Sequence, residues 1–154
     1  MFEGNITIDD AEIKAKLAKL SGLMKNLRPV MLEIGNMLRN ETELSFENEK
    51  TPWGAKWEPL SAVTIARKGH SKILTDSGQL SSSFTVRADN NSATVGTNKI
   101  YAAIHNFGGN AGRGKKVKIP ARQYLPADKA GRLEPGVERS IVNYLTRKIR
   151  QATA

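Results

Sequence analysis

Residues 101–125, YAAIHNFGGNAGRGKKVKIPARQYL, decide how the rest of the chain is read. The segment opens as a short apolar helix and breaks at Gly108-Gly109, where a missing Cβ frees the backbone to turn. A basic glycine-rich loop follows, and the chain returns as a compact extended run closed by Pro120 and Arg122. Within it, GNAGRGKK at 109–116 matches the phosphate-loop pattern G-x-x-x-x-G-K up to the last position. That pattern needs Ser or Thr next, to reach Mg²⁺, and a helix start whose amides cradle phosphates. Here Lys116 stands in that place, the following VKIP is extended in character, and no strand feeds the loop. Nucleotide hydrolysis fails this context test. What remains is a loop with fixed ends and a basic middle, Arg113, Lys115, Lys116 and Lys118, with Arg122 just beyond. The glycines predict a mobile docking arm that is disordered when free and orders against a partner.

Charge supports that emphasis. Residues 1–98 carry 12 Lys/Arg against 12 Asp/Glu, whereas residues 99–154 carry 12 against 3, so the net +9 sits wholly in the last third. A one-sided basic surface favours an anionic partner, either nucleic acid or an acidic protein face.

Outward from the loop, the N-terminal side reads as scaffold. Phe2, Gly4, Ile6 and Ile8 alternate with polar residues as a half-buried strand. Asp9 and Glu12 form a capping-box-like start, and Ile13, Leu17, Leu20, Met24 and Leu27 share one helical face. Pro29 ends or kinks this helix or opens a second one. The continuation places Val30, Ile34, Met37 and Leu38 on one face and is expected to fray into the acidic run 41–49. Residues 51–61 are a turn segment punctuated by two prolines and a glycine. Trp53 and Trp57 lie there, at least one of them predicted to pack inward. Ser61 is placed to cap a helix over 62–67 with Val63 and Ala66 inward, and 68–72 reads as an exposed, mobile link.

Further along, residues 82–88 alternate as a strand with Phe84 and Val86 on one face. Asp89-Asn90-Asn91 has turn chemistry, and 92–96 returns as the second arm of a hairpin. Val117-Lys118-Ile119 alternates as a further strand or extended arm. Pro135 stands near the start of a last helix whose Leu133, Val137, Ile141, Leu145 and Ile149 form one stripe. The order of elements predicts a single α+β domain over residues 1–154, a small antiparallel sheet packed with N-terminal helices and a C-terminal helix.

Catalytic constellations are weak. The chain has no cysteine and two histidines, His70 and His105. Metal sites usually take three or four His, Cys or carboxylate ligands, and the last third has few carboxylates. His105 follows Tyr101 by four residues and reads as a satisfied, partly buried histidine. No Gly-x-Ser-x-Gly elbow or acid–base pair is present. The expectation is therefore no enzyme, no catalytic residue, no metal and no cofactor. No apolar run approaches the roughly 20 residues of a membrane span, and no signal-peptide pattern opens the chain.

Four blocks, taken in order, carry a resemblance. They are Trp57-x-Pro59-Leu60-Ser61-x-x-Thr64, Ile73-Leu74-x-x-x-Gly78-x-Leu80, Tyr101-Ala102-x-x-His105-x-x-Gly108-Gly109, and Ile119-Pro120-Ala121-Arg122-x-x-Leu125. Their succession and spacing resemble the phage virion morphogenesis family, the Mu-like G proteins, related to phage tail completion proteins. Gln123-Tyr124 departs from it, standing where a shorter apolar pair is common.

The resemblance implies a non-enzymatic structural protein of a phage or prophage, with a tail-terminator or neck-like fold, acting at the head–tail junction or the head-proximal tail end. It implies assembly in the bacterial host cytoplasm, incorporation into the virion, and docking on tail tube, connector or neck proteins. Subunits would form a ring when assembled and could be monomeric when free. On this chain, Tyr101, His105 and Gly108 would shape the helix and turn before the loop. Pro120 and Arg122 would fix its return, and Trp57, Pro59 and Leu60 would brace it. The competing expectation is a basic nucleic-acid-binding protein that uses the 113–122 loop and the C-terminal helix.

Overall fold

The computed structural model describes residues 10–74 and 78–154. The strand expected on Phe2, Gly4, Ile6 and Ile8 lies outside them, as do residues 75–77. The fold is α+β, helices with two small two-stranded sheets. Its internal contacts gather into two units built from interleaved segments, one holding 41–74, 78–85 and 96–125, the other 10–40, 86–95 and 126–154.

The second of these is helical at heart. Helix α1, Ala11–Ser21, is capped by Asp10, whose Oδ1 accepts from the Ile13 amide at 2.9 Å. The cap expected at Asp9 therefore falls one residue later. Helix α2 begins at Arg28 and runs through Asn48, so Pro29 sits in its first turn, where its missing N–H costs nothing. Its amino end is closed by a distant side chain: Asn90 Oδ1 accepts from the Leu27 and Arg28 amides, both at 3.0 Å. The last helix, α5, spans Pro135–Thr153 and packs on α1. Its amino end is capped by Glu134, which accepts from the Val137 amide at 2.8 Å.

Leu20, Leu27, Val30, Ile34, Leu133, Val137, Ile141 and Leu145 bury together, with Ile13, Leu17 and Ile149 packed against them. The apolar positions read from the sequence are thus the core of this unit, but they do not all lie in helices. Helix α1 stops at Ser21, so Met24 and Leu27 pack from the connection after it, and Leu133 packs from the segment before α5. Strands β1, Thr85–Ala88, and β2, Ala93–Gly96, pair across a turn in which Asp89 Oδ1 accepts from the Asn91 and Ser92 amides. Gly35 on α2 is required by packing, because a Cβ there would lie 2.4 Å from Val86 Cγ1.

The other unit begins on the same α2. The acidic run does not fray: residues 41–48 stay helical because Thr42, Ser45 and Phe46 are buried while Glu43 and Glu47 face solvent. The helix stops at Glu49, whose φ of 52° turns the chain out of it. That residue then anchors two others, its carboxylate accepting from the Ile73 amide at 2.5 Å and its carbonyl from the Trp57 amide at 2.9 Å.

The core here is aromatic: Phe46 contacts Trp57, Phe84 and Tyr124 at centroid separations of 5.5, 5.9 and 4.9 Å. Such pairs add roughly 0.5–1.5 kcal/mol each beyond the area they bury. Trp57 is the tryptophan that packs inward, and Trp53 remains exposed. Helix α3, Ala62–Lys68, is capped by Ser61 and closed by Gly69 in the left-handed region. Val63 and Ala66 were expected inward and are exposed; the half-buried side carries Thr64, Ile65 and Lys68 instead. At seven residues, two apolar positions do not fix a helix's rotation, and its cap and flanking turn do.

Candidate docking surface

The segment 101–125 forms a helix, a hairpin and a buried return. Helix α4, Ala102–Phe107, buries Ala102 and Asn106 and ends at Gly108, with φ 75° and ψ 175°. A Cβ at Gly108 would lie 2.9 Å from the Ala121 nitrogen and 3.1 Å from the Ile119 carbonyl oxygen. Only glycine fits there, for its conformation and for the close backbone approach alike.

The return is stitched to α4 by hydrogen bonds. Asn106 Oδ1 accepts from the Tyr124 and Leu125 amides at 2.9 and 3.1 Å. The Tyr124 hydroxyl donates to the Ala102 carbonyl at 2.5 Å, and the Arg122 amide donates to the His105 carbonyl at 2.8 Å. Full burial raises the Tyr124 phenol far above its ordinary pKa, so it stays a donor.

From the other side, Trp57 Nε1 donates to the Gln123 carbonyl at 2.8 Å, and Arg122 Nε donates to the Glu58 carbonyl at 2.8 Å. A longer contact of 3.4 Å runs from the Arg122 guanidinium to the Pro59 carbonyl. Burial pulls the Arg122 pKa down, and the nearby carboxylates of Glu58 and Glu49 oppose that.

Arg122 is 7% exposed. Counted with the exposed cations of the arm, it is in fact a buried clamp on two backbone carbonyls. His105 lies beside it, its ring edge-on to Tyr101 at 5.9 Å. Burial, and then the Arg122 charge, lower its pKa, so it is neutral at pH 7. The expectation of a satisfied histidine fails in one respect: its buried Nδ1 has no hydrogen-bond partner among the described residues.

Beyond Gly108 the basic segment, expected as a loop with a mobile middle, folds into a hairpin. Strands β3, Gly109–Ala111, and β4, Val117–Ile119, pair antiparallel with Gly109 opposite Ile119 and Ala111 opposite Val117. The tip is a 3₁₀ turn over Arg113–Lys115, flanked and interrupted by Gly112 at φ 81° and Gly114 at φ 70°. Its Lys115 amide donates to the Gly112 carbonyl at 3.0 Å. Arg113, Lys115, Lys116 and Lys118 are all exposed, as is Val117. No helix starts after Lys116, so the tip amides lack the geometry of a phosphate cradle.

A groove of about 1170 Å³ runs beside β4, walled by α3, the 58–60 turn and Tyr101. Of the other residues singled out, Pro59 is exposed, Leu60 and Pro120 half-buried, and Leu80 buried. Gly78 takes a φ of 73° in open space. Among the described residues, no three His, Cys, Asp or Glu cluster as metal ligands do, and no helix is long and apolar enough to cross a membrane.

Two anchors escaped the sequence reading. Asn106 looks like a polar residue bound for solvent, and its neighbours give no hint that it serves the amides of 124 and 125. Tyr124 stood out as a departure from an apolar pair, and it is a core residue whose hydroxyl closes the root.

The segment is thus an exposed basic hairpin on a buried, hydrogen-bonded root. The chain belongs to the phage virion morphogenesis family, whose model matches residues 8–149. It is 40% identical over 133 residues to the Mu-like prophage FluMu G protein 2 of Haemophilus influenzae, covering 84% of this chain and 90% of that protein. It is also 33% identical over 137 residues to the putative capsid assembly protein G of Escherichia phage Mu, covering 84% and 87% of the two chains. A second Haemophilus influenzae relative, FluMu G protein 1, is 30% identical over 129 residues, covering 80% and 83%. No solved structure matches the chain significantly. Membership makes this a protein of phage virion assembly.

Proposed function

We propose that this chain is a structural, non-enzymatic virion component acting at the head–tail junction or the head-proximal end of the tail, as a completion, terminator or neck protein. Subunits join as a ring when assembled and dock on tail tube, connector or neck proteins through the hairpin tip. The family match over residues 8–149 carries this reading. It is supported by the exposed cations at Arg113, Lys115, Lys116 and Lys118, which suit an acidic protein face by steering and register. The root supports it too, because hydrogen bonds from Asn106 and Arg122 tie the base of the arm to the protein interior. Gold labelling of the protein in purified particles tests the position. Label at the junction of head and tail is expected, and label spread over the head shell or absent from particles contradicts it.

The same exposed cations favour one competing reading, nucleic-acid binding. Phosphate contacts make affinity fall steeply with salt. A gel-shift series across salt separates the two: steep salt dependence, abolished by changing Lys115, Lys116 and Lys118 to Gln, belongs to a DNA binder.

A further inference from the structure

The groove beside β4 has three properties that together define an occupant. Four consecutive residues of the segment, Val117, Lys118, Ile119 and Pro120, line it, and no residue of β3 does. The groove therefore follows the edge of β4 that faces away from β3. Its sheet holds just these two strands, so that edge has no strand beside it among the described residues. In an antiparallel pair, alternate N–H and C=O groups of an edge strand point outward, a template for a further strand.

Apolar side chains form its second property. Leu60, Tyr101, Val117 and Ile119 line the groove, with Val117 55% and Tyr101 39% exposed. Alternate side chains of an added strand would find apolar contacts there.

Charge is the third. Among the described residues, Arg67, Lys68, Lys118 and Arg122 line the groove against Glu58 as the one acidic residue. Arg122 is held by backbone carbonyls and so keeps its charge without a carboxylate clamped to it. A second copy of β4 is a poor occupant, because edge-to-edge pairing would bring Lys118 near its own counterpart. A nucleic acid would use the cations but neither the apolar side chains nor the outward backbone groups. Its single strands are held by successive stacked aromatics, and among the described residues this groove offers Tyr101 alone.

We propose that the groove along the outer edge of β4 takes an extended, acidic segment of another virion protein as an added strand. Its backbone pairs with β4, its apolar side chains meet Tyr101, Val117 and Ile119, and its carboxylates meet Arg67 and Lys118. This deepens the assembly reading and rests on it, since it supplies the chemistry of a docking partner.

The test uses the full chain and synthetic peptides of about seven residues that alternate Glu with Val or Ile, capped at both ends. Binding is followed by fluorescence anisotropy. A twin peptide carries N-methyl groups on alternate residues, which remove strand hydrogen bonds and leave every side chain in place. The expected result is saturable binding, weakened about tenfold or more by N-methylation in one of the two registers and by Lys118→Glu. Lys129→Glu, exposed outside the groove, should leave it unchanged. No saturable binding by the alternating peptides, equal binding of both N-methylated registers, or tighter binding of a DNA oligonucleotide that displaces the peptide would each overturn the proposal. Failure here leaves the gold-label position standing, and a misplaced label leaves the peptide result standing, so the two readings fall separately.

Discussion

Lys118 and Arg122 are cations four residues apart on one short return, and they have opposite fates. Lys118 stands on β4 in solvent, whereas Arg122 is buried with its guanidinium on the carbonyls of Glu58 and Pro59. The contrast holds for the two ends of the whole segment. At the tip, glycines and cations meet water, and the hairpin's own pairing holds the backbone. At the root, one asparagine, one tyrosine, one arginine and one glycine are held by close or hydrogen-bonded contacts inside the protein. Substitutions at the root should therefore cost stability, and substitutions at the tip should cost recognition alone.

The sharpest way to break that contrast is at Asn106. Replacing it with Ala leaves two buried amides, those of Tyr124 and Leu125, without acceptors. Each such loss costs about 1–3 kcal/mol, offset in part because the change also removes the buried Asn106 Nδ2, which has no partner among the described residues. Asn106→Ala should therefore lower unfolding free energy by roughly 3–4 kcal/mol in urea denaturation. Gly108→Ala comes next. It forces a Cβ into positive φ and onto the Ala121 backbone, and about 3 kcal/mol is expected in the same assay. Tyr124→Phe keeps the packing and strips one hydrogen bond from the Ala102 carbonyl, for about 1–2 kcal/mol.

His105 gives a smaller effect, and its sign can be worked out. Its folded pKa lies below the ordinary 6.5, so the unfolded chain takes up a proton first as pH falls. Stability is full above pH 6.5 and declines below it, toward the lowered folded value. A His105→Gln variant should show a flatter stability profile below that pH than the parent, measured by denaturation at a series of pH values. An identical slope in both proteins would mean that the histidine is not buried as described.

Much of the scaffold was legible because period and capping chemistry are local signals. The helical stripes of Ile13 to Leu20 and of Val137 to Ile149, the Asp89 turn and the Ser61 cap all follow from spacing and side-chain type, whereas Met24, Leu27 and Leu133 reach the same core from outside the helices. Where the reading missed, longer-range packing had decided the matter. Residues 41–48 stay helical because Phe46 is drawn into an aromatic cluster with residues remote in sequence, which no local window reveals. Val63 and Ala66 turned outward because a helix of seven residues takes its rotation from its ends. The basic segment was read as a mobile loop because glycines signal freedom, yet the same glycines supply the positive φ values that a tight hairpin tip needs. Arg122 looked like its cationic neighbours, and only the carbonyls of residues 58 and 59, more than 60 positions away, distinguish it.

The division between root and tip is tested most directly by the titre of infectious particles when the chain is supplied with Lys115, Lys116 and Lys118 all changed to Gln. These side chains are exposed, and their loss should leave unfolding within about 0.5 kcal/mol of the parent. The account predicts a titre at least about tenfold lower with normal amounts of folded protein. An undiminished titre would contradict it.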